Sequence, residues 1–172
     1  KLVCGQLNIT ADEFDQAIAS FTGAAKRLEV IAADEWTNVY KDFAHSPSKL
    51  TATINAVKAQ FTNRKLVACI ELHTFSSLNK DFLKEYAGAM DQADVAIVFI
   101  DIKSFEQKRM TAFSEDDVQQ AFANPNLKFF NDANKLKAYL LSLNYRNSNL
   151  LRMSSGNYAG FDLPKLASEL KR

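Results

Sequence analysis

Cysteine, histidine and tryptophan are scarce in this 172-residue chain, at two, two and one. Cys4 and Cys69 stand apart with no metal-type spacing. Cys69, within Val67-Ala68-Cys69-Ile70, reads as a small residue of a buried strand. Such usage suits a reducing cytosol, so a cytoplasmic location is expected. His45 and His73 lie far apart in sequence and lack the carboxylate–histidine spacing of zinc sites, and no metal site is expected in the chain. Net charge is only +1, and no basic cluster is dense enough for a nucleic-acid face. No apolar run approaches a membrane span; the longest, Val95 to Ile100, reads as a strand, and no membrane partner is expected. There is no G-x-x-x-x-G-K-[ST] phosphate loop and no G-x-G-x-x-G dinucleotide fingerprint. No serine sits in a G-x-S-x-G elbow and neither cysteine neighbours a histidine, so a nucleophilic hydrolase is unsupported. Internal repeats and low-complexity linkers are lacking too.

What is present is an ordinary globular composition, 47% hydrophobic and 24% charged, in a chain long enough to bury about two-thirds of its unfolded surface. One domain is expected, with a short piece of a neighbour attached. The chain opens on Lys1 rather than Met, and its first ten residues are no signal peptide, so it reads as cut from a longer protein. Thr10-Ala11-Asp12-Glu13 is a capping box, and Phe14, Ala17, Ile18 and Phe21 follow at helical spacing up to Gly23. Strands are expected over Leu28–Ala33 and Thr37–Phe43, joined by a hairpin-like turn at Asp34-Glu35. Ser46 as N-cap and Pro47 at the first position start an amphipathic helix to Phe61. Further strands are expected at Lys65–Leu72, Val95–Asp101, Leu127–Phe130 and Asn149–Met153. The intervening helices are Asn79–Met90, one capped by Ser114 and running to Ala123, and one from Asp132 to Leu143. A last helix follows Pro164. Strands alternating with helices from Thr37 onward predict an α/β fold: a Rossmann-like three-layer domain with a mainly parallel sheet and helices on both faces.

In such a sheet, ligands sit beyond the carboxyl ends of the strands, and four polar stretches fall at that edge. Asp42 and His45 follow the second strand, and an ionised carboxylate there can accept from a ribose diol or hold a turn. Glu71-Leu72-His73-Thr74-Phe75-Ser76-Ser77 closes a buried strand, its serines being ligand groups or helix caps. Ser154–Gly160 offers two glycines, hydroxyls and amides suited to a carboxylate, or a plain surface turn. Arg27 can grip a phosphate with a bidentate fork, or pair with Glu29 at the surface.

In this order the stretches resemble the C-terminal domain of the Mur ligases. Phe21-Thr22-Gly23 with Arg27-Leu28-Glu29 is similar to the family's F-x-G-x-x-x-R-x-E junction. Asp42-Phe43-Ala44-His45-Ser46-Pro47 is similar to its D-[YF]-[AG]-H-x-P motif. The likeness covers residues 20 to 172, making residues 1–20 the tail of the central ATP-binding domain and 21–172 the C-terminal domain. The resemblance implies an ATP-dependent amide-bond-forming ligase of cell-wall peptide, with ATP and Mg2+ as cofactors. UDP-N-acetylmuramate and a peptide or amino acid would be its substrates. The amine substrate it favours is the recycled tripeptide L-Ala-γ-D-Glu-meso-diaminopimelate, with L-alanine the alternative; the L-alanine-adding members carry two arginines that the loop after Glu71 lacks. Carried over, Arg27 contacts ATP phosphates, Asp42 the ribose, and Phe43 and His45 line the nucleotide cleft. His73, Thr74, Ser76, Ser154, Ser155 and Asn157 border the amine-substrate pocket. ATP would convert the muramyl carboxylate to an acyl phosphate, which the amine attacks. The family's phosphate loop, magnesium ligands and modified lysine belong to the central domain, so no catalytic residue is expected here and the chain alone should be inactive. The reading from another class is a non-catalytic α/β interaction module, such as a receiver-like domain.

Overall fold

The computed structural model describes residues 2–20 and 27–170. The chain opens with two helices, α1 (Leu2–Gln6) and α2 (Ala11–Ala19), neither of which buries a residue. The Thr10 capping box is formed: the Thr10 hydroxyl accepts the Glu13 N–H at 3.3 Å and the Glu13 carboxylate accepts the Thr10 N–H at 2.8 Å. The junction Phe21-Thr22-Gly23 and the expected helix end at Gly23 lie outside the described residues.

Six strands build one sheet: β1 (Glu29–Ala33), β2 (Asn38–Asp42), β3 (Lys65–Glu71), β4 (Val95–Phe99), β5 (Lys128–Phe130) and β6 (Ser148–Met153). Their spatial order is β1-β2-β6-β3-β4-β5. Only β1 runs antiparallel, paired to β2 through the expected turn, where the Asp34 carboxylate accepts the Trp36 and Thr37 amides at 2.8 Å each. The chain steps outward from β2 to β3, β4 and β5, then returns to insert β6 between β2 and β3. Right-handed crossovers place outward and returning helices on opposite faces, and the core divides accordingly. On one face α3 (Pro47–Gln60), α5 (Ile102–Lys108) and α6 (Glu115–Ala121) cover Leu66, Ala68, Ile70 and Leu151. On the other, α7 (Ala133–Ser142) and α8 (Leu163–Glu169) cover Val67, Cys69, Ile97 and Leu150. The sheet alternates its side chains between two cores, and the three-layer α/β expectation holds.

Three local expectations change. Ser46 occupies the N-cap position of α3 but makes no side-chain capping bond, and Pro47, with its fixed φ, starts the helix without it. The helix expected over Asn79–Met90 is only α4 (Lys80–Leu83) and one 3-10 turn, Lys84–Tyr86. Gly88 sits at φ +72° and its N–H donates to the Phe122 carbonyl at 3.1 Å, which redirects the chain toward α6. Asp101 closes no strand: its carboxylate caps α5, a helix the apolar pattern did not announce. Among the described residues no helix is long and apolar enough to cross a membrane.

Candidate functional site

Because β2, β6 and β3 are parallel neighbours, with Asp42 opposite Met153 and Met153 opposite Ile70, their carboxyl ends deliver three loops to one edge. Arg27, entering the antiparallel β1, reaches the same edge. The Ser154 N–H donates to the Asp42 carbonyl at 3.0 Å and stitches the first two loops together.

Glu71 fastens the third. Its side chain is buried, and Oε2 accepts the Ser154 hydroxyl and, at 2.9 Å, the Tyr158 N–H. The Ser154 hydroxyl oxygen in turn accepts the Gly156 N–H at 2.6 Å. Gly156 has no room for a side chain: a Cβ there would stand 2.8 Å from Glu71 Oε2 and 3.0 Å from the His73 ring. His73 Nε2 lies 2.9 Å from Ser155 Oγ, so the loops after β3 and β6 meet twice. Beyond them Tyr158 and Ala159 take left-handed conformations, φ +53° and +56°. The Tyr158 hydroxyl is buried against the Cys69 and Met153 carbonyls at 2.7 and 2.9 Å, and its ring stacks on Phe99 at 5.6 Å. Burial pushes the Tyr158 phenol well above its ordinary pKa and the Cys69 thiol up to about 12, so both stay neutral.

Two cavities flank this knot. A groove of about 210 Å³ is lined by Arg27, Asp42, Phe43, Ala44, Lys49, Ala52 and Thr53. Arg27, Asp42 and Phe43 thus come together, while His45 stands off the groove wall, its ring edge-on to Phe43 at 5.2 Å and its Nδ1 2.8 Å from the Phe43 carbonyl. Asp42 is already engaged. Its Oδ2 accepts the Leu28 N–H at 2.7 Å, and its Oδ1 accepts the Ala44 N–H at 2.7 Å and the Thr53 hydroxyl at 3.4 Å. A carboxylate offers about four acceptor sites, so the turn-holding role is real and leaves little capacity for a ribose. Lys49, on the same wall, carries no signal in the sequence beyond that of an ordinary helix lysine.

The second cavity, about 530 Å³, lies between β1, β2, the β6 loop and the start of α8. Ser154, Ser155 and Asn157 line it, together with Lys41, Arg152 and Asp162. His73, Thr74 and Ser76 do not. The Thr74 and Ser77 hydroxyls close a local turn, exchanging bonds of 2.9 to 3.2 Å with each other and their amides, and Thr74 Oγ1 lies 3.1 Å from Ser76 Oγ. Neither serine caps α4; the Asn79 side chain does so. Among the described residues no group of three or more His, Cys, Asp or Glu side chains could hold a metal ion.

A family model described as Mur ligase, glutamate ligase domain, matches residues 26–156. A UDP-N-acetylmuramate–L-alanine ligase of Caldicellulosiruptor bescii is 31% identical over 114 residues, 66% of this chain and 24% of that protein. The chain therefore spans about a quarter of that curated relative. Among solved structures, a domain assigned to a UDP-N-acetylmuramate:L-alanyl-γ-D-glutamyl-meso-diaminopimelate ligase of Haemophilus ducreyi is 26% identical, with a TM-score of 0.60 over 83% of this chain and 99% of that one. The UDP-N-acetylmuramate–alanine ligase of Thermotoga maritima shares the fold at a TM-score of 0.69 and 19% identity, over 92% of this chain and 33% of that one.

Proposed function

This chain belongs to the Mur ligase family, matching its glutamate ligase domain, and from that premise we propose that it is the C-terminal domain of an ATP-dependent ligase joining UDP-N-acetylmuramate to L-Ala-γ-D-Glu-meso-diaminopimelate in cytoplasmic cell-wall recycling. Mur ligases are ATP-dependent ligases acting on UDP-N-acetylmuramate substrates and amino acids or peptides.

The observation that carries the nucleotide side is the groove at the carboxyl edge. Arg27 and Lys49 supply two cations beside Asp42, the chemistry a polyphosphate asks for. At about 210 Å³ it falls below the roughly 300–1,000 Å³ of a complete ligand pocket. In this reading it is half a site, closed by a domain outside the chain that also holds Mg2+ and the catalytic groups. Residues 2–20 support a neighbour: Leu2 and Val3 on α1, Leu7 and Ile9 in the connection and Ile18 on α2 are all exposed. Residues 1–20 are then the tail of that central domain, and residues 21–172 close over bound ATP, with Arg27 on the phosphates, Phe43 beside the nucleoside with His45 packed on its ring, Asp42 holding the loop that presents them, and Arg27 stabilising charge as phosphate departs. Ser154, Ser155 and Asn157 face the incoming amine from the cavity wall, with His73 bonded to Ser155 and Thr74 and Ser76 holding the turn of the neighbouring loop.

A peptide rather than L-alanine is favoured by the cavity of about 530 Å³, much larger than one methyl-bearing amino acid, and by the loop 71–77, which has no arginine. The deciding experiment is ADP release by the full-length protein with UDP-N-acetylmuramate plus either the tripeptide or L-alanine. Tripeptide-dependent release supports the proposal, L-alanine-dependent release replaces the substrate, and no release with either favours a binding module. The 172-residue chain alone is expected to be inactive.

A further inference from the structure

The groove loop, residues 42–46, is fixed at its start, where Asp42 accepts the Leu28 and Ala44 amides. Its far end lacks a side-chain anchor of its own: Ser46 stands at the N-cap of α3 and makes no capping bond, and His45 Nδ1 reaches only the Phe43 carbonyl within the same loop. The anchor comes from 41 residues away, where the Tyr86 hydroxyl donates to the His45 carbonyl at 2.8 Å. Tyr86 is buried, its ring stacked on Phe122 at 5.1 Å and edge-on to Phe82 at 6.2 Å. Packing therefore aims the hydroxyl, which cannot follow the loop if the loop moves. Burial raises the phenol to about 12 and keeps it a donor at neutral pH.

Resting on the ligase reading above, we propose that Tyr86 is a positioning residue for the nucleotide: through the His45 carbonyl it sets the loop that carries Phe43 and the start of α3 that carries Lys49. Phe43 and Lys49 both line the groove, and Lys49 lies in the first turn of α3. Tyr86 does not line it, so its effect on a bound nucleotide passes through that backbone. Without the bond the loop samples arrangements in which Phe43 and Lys49 are not placed together. Apparent affinity then falls by the fraction of molecules in the competent arrangement. A saturating ligand selects that arrangement again, so the defect belongs in KM and not in kcat. Tyr86 also closes the segment that leaves His73 through the Thr74–Ser77 turn and α4. The loops after β2 and β3 are thereby braced as one edge.

The test is steady-state kinetics of the full-length protein carrying Tyr86→Phe, which removes the hydroxyl and keeps the ring. Beside it stands Ile97→Val, a modest loss from the opposite core that touches neither the loop nor the groove. Tyr86→Phe should raise the KM for ATP roughly 3- to 10-fold, the ordinary net contribution of one hydrogen bond. Its kcat and its KM for the amine substrate should not change, and Ile97→Val should leave all three alone. A KM for ATP that stays put in Tyr86→Phe, or moves equally in Ile97→Val, overturns the proposal and leaves Tyr86 a packing residue. Hydrogen exchange of the same proteins gives a readout that needs no turnover. The Ala44 amide, bonded to Asp42, should exchange roughly 3- to 10-fold faster in Tyr86→Phe than in the parent or in Ile97→Val. Should the parent show no ATP-dependent turnover, the ligase reading falls while exchange still decides the role of Tyr86. Faster exchange at Ala44 then upholds its hold on the loop, and an unchanged rate overturns it.

Discussion

Removal of the Glu71 carboxylate should unfasten the carboxyl edge. In Glu71→Ala two buried donors, the Ser154 hydroxyl and the Tyr158 N–H, lose their acceptor. Each orphaned donor costs about 1–3 kcal/mol. The turn beyond them holds three successive residues at positive φ, +53°, +56° and +82° at Tyr158, Ala159 and Gly160. Left-handed backbone at the two non-glycine positions costs roughly 1–2 kcal/mol each, a conformation that persists only while its surroundings enforce it. Relaxation of that turn and entry of water return part of the loss, so a net destabilisation of about 3 kcal/mol is expected. For a domain of this size that corresponds to a melting-temperature drop of roughly 6–12 °C. Glu71→Gln keeps an acceptor and should lose only about 1 kcal/mol. Urea unfolding gives both numbers, and amide hydrogen exchange at Tyr158 reports the turn directly. Glu71→Ala within about 0.5 kcal/mol of the parent, the scatter of an ordinary surface change, with Tyr158 still protected, would refute the reasoning.

Gly156→Ala forces a Cβ to 2.8 Å from Glu71 Oε2, and because Glu71 is held it should cost about 1–3 kcal/mol; a neutral effect in urea unfolding would show that the loop gives way freely. Ile54, on the buried face of α3 at 1% exposure, should lose about 2–5 kcal/mol on replacement by Ala, and denaturant unfolding with an unchanged m-value checks it. Asp117 is pulled down to about 2 by the Lys80 ammonium at 2.6 Å and by the Ser114 N–H and hydroxyl. A depressed carboxyl contributes stability that is complete above its ordinary value near 3.8 and is lost as pH falls through about 2. The stability gap between parent and Asp117→Asn should therefore hold at neutral pH and close in that acid window; a gap that stays constant down to the lowest pH would contradict the assignment.

Local chemistry made much of the fold legible. The Thr10, Ser114 and Asp132 caps each declare themselves within four residues, and all three form. The apolar runs of β3 and β4 announce strands covered on both faces, which they are. The site was legible only where side chain and loop are neighbours in sequence, as at Asp42. Glu71 and Tyr158 are 87 residues apart, and only the insertion of β6 beside β3 brings them together. The missing half of the helix expected at Asn79–Met90 reflects a tertiary bond at Gly88 that no periodicity encodes. Arg152 did leave a trace, a single charge inside an apolar strand, which strand patterning alone reads as noise.

The central claim is that this edge of the sheet completes an ATP site in a ligase. Its most direct test is the ATP dependence of product formation by the full-length protein carrying Arg27→Ala. Arg27 is exposed on the groove wall, so its loss should leave folding intact. Catalytic efficiency toward ATP should fall roughly 10- to 100-fold with no change in affinity for the amine substrate. Full ATP efficiency in the Arg27→Ala protein would contradict the account.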